Sequence, residues 1–189
     1  MKTNLKYFYE NFPVIESDNL ILREIIEDDL KDIAVFTRDP EIYKYWGDNM
    51  STLEKNVGSY YERFIKRTPG EKRNVFHWGI ALKNENRIIG QIFLKDIQNN
   101  RIGSIGYRIA RDYWGKGIMT EAVKTVIKFC FTQTELKRLE ASAQKENIAS
   151  NKVLEKSGFT QEGFIRQGKY GRKYCDYYKY GFIKSDYKK

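Results

Sequence analysis

A glycine-bearing segment at residues 112–120, with the sequence Asp-Tyr-Trp-Gly-Lys-Gly-Ile-Met-Thr, holds the residues best suited to chemistry. It follows a run typical of a strand and precedes a run typical of a helix. Backbone amides at a helix N-terminus lack partners within the helix and lie at its positive end, so they bind anions. Glycines let such amides approach a pyrophosphate closely. The pattern favours a phosphate-bearing ligand, although a plain tight turn has the same local features.

The segment does not match the two well-known nucleotide-binding motifs. A P-loop requires a glycine five residues before the Gly-Lys pair, and that position is Ala110. A dinucleotide fingerprint requires a glycine where this chain has Thr120. The anion is therefore not expected to be a nucleotide held by either motif.

With the preceding Ile-Gly-Tyr-Arg-Ile at 105–109, the segment resembles the acyl-CoA-binding motif of the GNAT superfamily of N-acetyltransferases. A second block at 147–163 is similar to the helix and strand that close the CoA site in one branch, which acetylates the N-termini of ribosomal proteins. Weaker likeness at 20–23 and 171–176 extends the resemblance over most of the chain. Two separated blocks are much less expected by chance than one.

The resemblance implies an acetyl-CoA site and no metal. In the family two adjacent strands splay apart, and the pantetheine arm of the coenzyme enters the gap. By this resemblance Ile109 and its neighbours bind the arm, and amides from Gly115 to Thr120 hold the pyrophosphate. Many members have Gln or Arg at position 114 and a small residue at 119, but the ribosomal branch tolerates the residues found here. The predicted cofactor-binding residues are Ile109, Trp114, Gly115, Lys116, Gly117, Ile118, Met119, Thr120, Asn147 and Asn151.

Acetyl transfer from a thioester to an amine also needs a proton for the departing thiolate. Many GNAT enzymes take it from a tyrosine four residues before a Gly-Phe pair, where this chain has Leu154. The ribosomal branch is thought to use the serine of Asn-x-x-Ser, which makes Ser150 the predicted catalytic residue. Ser150 also fits a first-turn helix residue bonded to its own backbone, and Asn147 suits both a helix N-cap and a coenzyme contact.

The general base has no clear counterpart. In the ribosomal branch a carboxylate is proposed just before the residue that matches Tyr170, and this chain has Lys169 there. Ser104 also replaces a glutamate common in the family. An α-amino group with a pKa near 8 is roughly a tenth neutral at pH 7, whereas a lysine is neutral to well under a thousandth, so a weak base suffices for a protein N-terminus. The remaining candidates, each of which also fits a structural role, are Glu162, Asp176 and His77.

Two aromatic clusters are candidates for binding the acceptor substrate or RNA. Tyr43, Tyr45 and Trp46 lie between two early helices, in the region that GNAT enzymes place over the acceptor, although a satellite hydrophobic cluster explains them equally. Residues 169–174 mix bases and aromatics as an RNA-binding surface does. A solvated hairpin explains the second cluster better, so direct nucleic-acid binding is not expected.

The apolar patterns predict the order strand, helix, helix, three strands, helix, strand, helix, two strands. A meander precedes a single βαβ crossover, which excludes a doubly wound fold. Asp39 and Pro40 are expected to end the first helix, and a capping box at 51–54 to begin a second that continues to Phe64. The predicted fold class is α+β (mixed α/β): a GNAT fold with a central, mostly antiparallel mixed sheet of about seven strands, helices on both faces and a splayed strand pair. The predicted strands are 19–25, 75–82, 88–97, 102–109, 138–143 and two within 159–183, and the later helices are 119–131 and 147–157.

Length and composition set the remaining expectations. The 189 residues fit one domain, with residues 1–18 as an N-terminal extension packed on it. The 34 basic and 25 acidic side chains give a net charge of +9, which favours polyanions such as nucleic acid, the ribosome, anionic lipid or a phosphate-rich cofactor. No signal-peptide pattern or run of about 18 apolar residues is present, so a cytoplasmic protein without a membrane span is expected. Cys130 and Cys175 are predicted to be free thiols.

The leading functional prediction is an N-acetyltransferase that acts on a primary amine, above all the N-terminal α-amine of a ribosomal protein. Two alternatives stay open. One is acetylation of a small amine, such as a polyamine, an aminoglycoside or an amino-acid-like toxin. The other is a catalytically inactive GNAT-fold module that binds the ribosome or RNA. Either a monomer or a homodimer is expected.

Overall fold

A computed structural model describes residues 5–46, 57–62, 66 and 75–187. Within these residues one sheet has the strand order β1-β2-β3-β4-β5-β6-β8-β7. The strands are β1 Ile15–Glu16, β2 Leu20–Glu24, β3 Phe76–Leu82, β4 Ile88–Gln98, β5 Ile102–Ile109, β6 Arg138–Gln144, β7 Thr160–Tyr170 and β8 Lys173–Ile183. The α-helices are α1 Leu5–Glu10, α2 Leu30–Thr37, α3 Pro40–Tyr43, α4 Val57–Tyr60, α5 Ile118–Gln133 and α6 Ile148–Lys156.

The predicted fold class, a mixed and mostly antiparallel sheet with helices, is confirmed. Neighbouring strands pair antiparallel except β5 and β6, which are parallel and are joined through α5 as the predicted crossover. The described sheet has eight strands instead of about seven. The additional strand is β1, where Ile15 pairs with Leu22. Two residues are too few to give a periodic pattern, so β1 was predicted only as part of the N-terminal extension.

Helix α5 and the N-terminal segment pack on the same hydrophobic core. The face of α5 predicted to be apolar is buried in the main cluster of the protein: Ala122, Val123, Val126, Ile127 and Cys130. Leu5 and Phe8 of α1 are buried in that cluster, and the rings of Phe8 and Phe129 lie 5.0 Å apart. The indole N–H of Trp78 donates a 2.8 Å hydrogen bond to the carbonyl of Pro13. From Leu5 onward, the predicted extension thus packs against the core.

The early helices follow the predicted start and stop signals in part. α2 ends at Thr37, as predicted. Asp39 then caps α3 by accepting the Glu41 N–H at 3.0 Å, and Pro40 occupies the first helical position, which suits its missing N–H. The same Asp-Pro pair therefore begins a helix that was not predicted. Helix α4 lies within the predicted 51–64 helix, whereas the capping box at 51–54 and Phe64 lie outside the described residues.

The pairing between β5 and β6 stops part-way along both strands, which are described over their full length. The paired residues are Ile102 with Arg138, Gly103 with Leu139 and Ser104 with Glu140. Beyond them β5 stays paired with β4 as far as Ile109, and β6 stays paired with β8 as far as Gln144. Residues 105–109 and 141–144 thus diverge, as the predicted splayed pair requires.

Helix α6 is closed by a glycine in a conformation that other residues rarely adopt. Gly158 has φ +93°, and a Cβ at this position would lie 3.0 Å from Cε2 of Phe182. Glycine commonly occupies the position just after a helix because it has no Cβ to oppose a positive φ. The turn from α6 into β7 therefore depends on Gly158.

We predict that Gly158→Ala lowers the free energy of unfolding by about 1–3 kcal/mol, because the left-handed conformation is strained for alanine and the methyl group meets Phe182. Gly163→Ala is the matched control, since a Cβ there lies 3.9 Å from its nearest neighbour. The control should shift stability by no more than about 0.5 kcal/mol in urea unfolding. Equal effects of the two substitutions would contradict this account.

Candidate active site

A cleft of about 1180 Å³ opens where β5 and β6 diverge. Its walls come from the diverging part of β5, the turn before α5, the first turn of α6, and α3 with the two aromatic residues that follow it. This volume exceeds the range of about 300–1,000 Å³ that is usual for small-ligand sites, so the cleft suits a long ligand. Of the predicted site residues it is lined by Ile109, Trp114, Gly115, Gly117, Ile118, Met119, Thr120, Asn147 and Ser150.

Two left-handed glycines shape the turn that enters α5. Gly115 has φ +73° and Gly117, the N-cap of α5, has φ +79°. A Cβ at either position would have no heavy atom of the described structure within 4 Å, so the backbone faces open space. The glycine N-cap has no side chain to cover the amides of the first turn of α5. This turn has the form of an anion site in the lining of the cleft.

Trp114 and Lys116 contribute differently from the glycines between which they lie. The indole N–H of Trp114 donates a 2.9 Å hydrogen bond to the carbonyl of Ile109, which fastens the turn to the end of β5. Lys116 is exposed and does not line the cleft; its Nζ lies 5.5 Å from the centre of the Tyr113 ring. The charge predicted to aid phosphate binding thus lies on the outer side of the turn.

The second predicted block begins α6 at the cleft. Asn147 is the N-cap, and its Oδ1 accepts the backbone N–H of Ser150 at 3.2 Å. This cap orients the first turn so that both residues line the cleft. The structural and functional interpretations of Asn147 are therefore compatible in this fold.

Asn151 has a different position from the one expected for a coenzyme contact. It is buried and does not line the cleft. Its Nδ2 donates to the carbonyls of Gln144 and Asn147, both at 3.0 Å, and its Oδ1 accepts the hydroxyl of Tyr180 at 2.9 Å. The side chain thus holds α6 on β6 and β8, and its predicted contact with the coenzyme stays a prediction.

Tyr107, which was predicted only as part of the motif at 105–109, contacts the predicted proton donor. Its hydroxyl lies 3.0 Å from Oγ of Ser150 and 3.2 Å from the carbonyl oxygen of the same residue. Burial raises the pKa of Tyr107 above its usual value, so the phenol stays protonated at neutral pH. Tyr107 shares a face of β5 with the buried Ile105 and Ile109. The sequence signal for this contact was the hydroxyl of a tyrosine at a position where the period-2 pattern of β5 otherwise has apolar side chains.

The carboxylates considered as general bases have structural partners. Both oxygens of Glu162 accept hydrogen bonds from the guanidinium of Arg138, which holds the pKa of Glu162 below its usual value. Arg138 also donates to Glu140 at 2.8 Å. Asp176 accepts the backbone N–H of Gln167 at 2.8 Å within the β7–β8 hairpin. These contacts fit the structural alternative for Glu162 and Asp176.

The other positions considered in the search for a general base, and the neighbouring Tyr170, supply no carboxylate to the cleft. His77 of β3 does not line the cleft, and its ring lies 5.2 Å from that of Phe93. Ser104 and Lys169 do line it, but neither supplies a carboxylate. Tyr170 donates a 3.0 Å hydrogen bond to the carbonyl of Ser142 on β6, and burial raises its pKa to about 12.

Aromatic residues after α3 form a further part of the cleft wall. Tyr45 and Trp46 line the cleft, as expected for an acceptor opening, whereas Tyr43 is buried away from it. The ring of Trp46 packs edge-on at 5.8 Å against Phe93, and the guanidinium carbon of Arg108 lies 5.4 Å from the Trp46 ring centre.

This wall is connected to the α5 turn. Asp39, the cap of α3, accepts a 2.7 Å hydrogen bond from Nε of Arg111 in the short 3₁₀ segment Arg111–Tyr113. The start of α3 is therefore fastened to the segment that precedes the predicted phosphate turn.

Three further expectations concern metals, membranes and thiols. Among the described residues no group of three or more His, Cys, Asp or Glu side chains is arranged to hold a metal ion. No helix in the described part of the chain is long and apolar enough to cross a membrane. Cys130 and Cys175 are free, as predicted, and burial raises the pKa of both thiols.

The splayed strand pair and the glycine turn at the N-terminus of α5 match the arrangement that the GNAT resemblance implies for an acyl-CoA-dependent transferase. Residues 19–160 match the family model of the acetyltransferase (GNAT) domain. The chain belongs to the GNAT acetyltransferase family and is an acetyl-CoA-dependent N-acetyltransferase, which confirms the predicted family and enzyme class.

Relatives and solved structures agree with this assignment. The uncharacterized N-acetyltransferase YoaA of Bacillus subtilis is 35% identical over 161 residues, which cover 84% of this chain and 89% of YoaA. The spermidine N-acetyltransferase of Vibrio cholerae, solved with CoA and spermine, has a TM-score of 0.76 at 20% identity over 90% of this chain and 98% of its own. RimL, a ribosomal L7/L12 α-N-protein acetyltransferase solved with coenzyme A, has a TM-score of 0.71 at 20% identity over the same shares. These two likenesses concern the fold.

We predict that Gly117→Glu weakens the binding of acetyl-CoA by about tenfold or more in isothermal titration calorimetry, because it brings a carboxylate to the turn expected to hold phosphates. Gly117→Gln is the matched control, since glutamine has the size and the backbone strain of glutamate but no charge. The control should bind within about threefold of the unmodified protein. Equal affinity of the Glu variant and the unmodified protein would place the phosphates elsewhere.

Proposed function

We propose that this enzyme transfers the acetyl group of acetyl-CoA to the N-terminal α-amine of a protein, such as a ribosomal protein. The observation that carries the proposal is that the splay of β5 and β6 and the α5 turn open into one cleft. A coenzyme with its pyrophosphate on the Gly115–Gly117 turn would extend its arm along residues 105–109. The thioester would then lie near the first turn of α6.

The proposed coenzyme contacts follow from this geometry. The open backbone at Gly115 and Gly117 fits a pyrophosphate, and Ile118, Met119 and Thr120 extend the same surface into α5. Asn147 lies across the cleft on α6. Trp114 and Asn151 would act indirectly, because the first fixes the turn to β5 and the second fixes α6 to the sheet.

Ser150 is the proposed proton donor. Its hydroxyl lies in the cleft on the turn that Asn147 caps. As the amine nitrogen bonds to the carbonyl carbon, the C–S bond breaks and its electron pair stays on sulfur. A proton from Ser150 would then convert the thiolate to a thiol.

Two features favour an α-amine over a polyamine. The carboxylates weighed as bases are held by Arg138 and Gln167, and a weak base suits the amine that is already partly neutral at pH 7. Charge in the cleft is also unfavourable for a polycation. The basic residues that line it are Lys44, Lys95, Arg108, Arg138, Lys152, Lys156, Lys169 and Lys179, and the acidic ones are Glu41, Asp96, Glu140, Glu146 and Glu162.

A ribosomal-protein acceptor implies that the enzyme acts in the cytoplasm. The acceptor protein would dock on the part of the cleft wall that contains Tyr45 and Trp46. The net charge of +9 fits a partner located near ribosomal RNA without direct binding of nucleic acid. A single GNAT domain, as a monomer or a homodimer, would be sufficient.

We expect peptides with the free N-termini of ribosomal proteins to be acetylated with a kcat/KM at least about tenfold above that of spermidine, measured as acetyl-CoA-dependent thiol release. The matched control is the same peptides with a blocked N-terminus and an internal lysine, which should give no turnover. Faster reaction of spermidine or of an aminoglycoside would assign the enzyme to small amines. Absence of turnover with every amine would support a module without catalytic activity.

A further inference from the structure

The contact between Tyr107 and Ser150 joins the two sides of the splay. Tyr107 reaches the cleft from β5, and Ser150 reaches it from the first turn of α6, 43 residues further along the chain. Their hydroxyl oxygens are 3.0 Å apart, which is hydrogen-bonding distance. Ser150, the predicted proton donor, is thus in contact with a second hydroxyl, that of Tyr107 on the strand that would bind the pantetheine arm.

The acidity of a serine hydroxyl is a poor match for a thiolate. An aliphatic hydroxyl resembles water, whose pKa is about 15.7, whereas a thiol has a pKa of about 8.5. A serine that gives up its proton alone would be left as an alkoxide, across a gap of about seven pKa units. A phenol, with an ordinary pKa of about 10, is much closer to the thiol. Even with its pKa raised by burial, Tyr107 is the better source of the proton.

We propose that Tyr107 and Ser150 form a two-hydroxyl relay that protonates the departing thiolate. The inference rests on the proposed function. The proton of Ser150 Oγ passes to sulfur, and the hydroxyl proton of Tyr107 passes to Ser150 Oγ. The Tyr107 phenolate is neutralised by the proton that the amine nitrogen loses on acetylation, carried by water in the open cleft. Tyr107 is thus a positioning residue, because it acts on the thiolate through Ser150.

The second contact of Tyr107 gives the relay two settings. The phenol has one proton, which it donates either to the carbonyl of Ser150 or to its Oγ. Donation to the carbonyl lets the serine point its own proton at Tyr107. Donation to Oγ instead leaves the serine proton to point into the cleft. Negative charge that develops on sulfur favours the arrangement in which Tyr107 donates to Oγ and Ser150 donates into the cleft. This arrangement is therefore the more stable one as the C–S bond breaks.

The test is a double-mutant cycle of Tyr107→Phe and Ser150→Ala, with the acceptor found to react best. We expect Tyr107→Phe to lower kcat by about tenfold to a hundredfold, with KM and Kd for acetyl-CoA changed by less than about twofold. The double variant should be no slower than Ser150→Ala alone, because the two hydroxyls act as one unit. Tyr9→Phe is the matched control: Tyr9 stacks on Phe76 in the core, does not line the cleft, and should keep full turnover.

Losses that multiply in the double variant would overturn the relay, and so would a Tyr107→Phe variant with weakened acetyl-CoA affinity and unchanged kcat. A second measurement does not need an acceptor: the thiol of bound CoA is titrated by its thiolate absorbance. Ser150→Ala should raise the pKa of that thiol by about one unit, because the thiolate loses its hydrogen-bond donor. Tyr107→Phe should raise it by a smaller amount, because Ser150 then donates to sulfur without the support of the phenol. An unchanged pKa in both variants would contradict the relay. Absence of turnover in the unmodified enzyme would instead contradict the proposed function.

Discussion

The structure depends on the point at which β5 and β6 stop pairing, after Ser104 and Glu140. The carbonyls at the two strand ends have partners other than each other. The Ile109 carbonyl accepts a hydrogen bond from the indole N–H of Trp114, and the Gln144 carbonyl accepts one from the side-chain amide of Asn151. Backbone groups that have left a ladder need such partners to remain buried. Trp114 and Asn151 therefore help to keep the strands apart, and the gap between them becomes the cleft.

Each side of the gap carries one half of the chemistry. Beyond β5 the chain turns at Gly115 and Gly117 into α5, where amides are aimed at an anion. Beyond β6 it turns at Asn147 into α6, where Ser150 reaches the cleft. The Tyr107–Ser150 contact crosses between these sides. A long ligand that enters the gap would meet the phosphate turn at one end and the two hydroxyls further along.

Local signals were sufficient for much of the fold. The apolar faces of α5 and β5, the N-cap at Asn147 and the glycine after α6 are short-range patterns, and the elements appear close to their predicted bounds. The elements that were missed are short: α1 has six residues, β1 has two, and α3 begins at a proline interpreted as a stop signal. Such elements are fixed by tertiary contacts, including the Asp39–Arg111 pair, and not by periodicity.

Roles within the site were harder to assign because a motif gives residue types and not directions. Asn151 and Ser150 are adjacent in sequence, yet one faces the sheet and the other faces the cleft. Lys116 lies between the two glycines and points outward. Arg138 and Glu162 are 24 residues apart in the sequence, so no local pattern showed that the Glu162 carboxylate is hydrogen-bonded to an arginine.

Hydrogen–deuterium exchange of the backbone amides with and without saturating acetyl-CoA tests the central claim, that the splay receives the coenzyme. Amides of residues 105–109 and 141–144 that face the gap should exchange more slowly when acetyl-CoA is bound, together with those of 115–120, because the ligand takes the place of the missing strand partner. Amides in the fully paired β2–β3 ladder should be unchanged. Unchanged exchange at 105–109 and 141–144, with protection confined to other segments, would contradict the account.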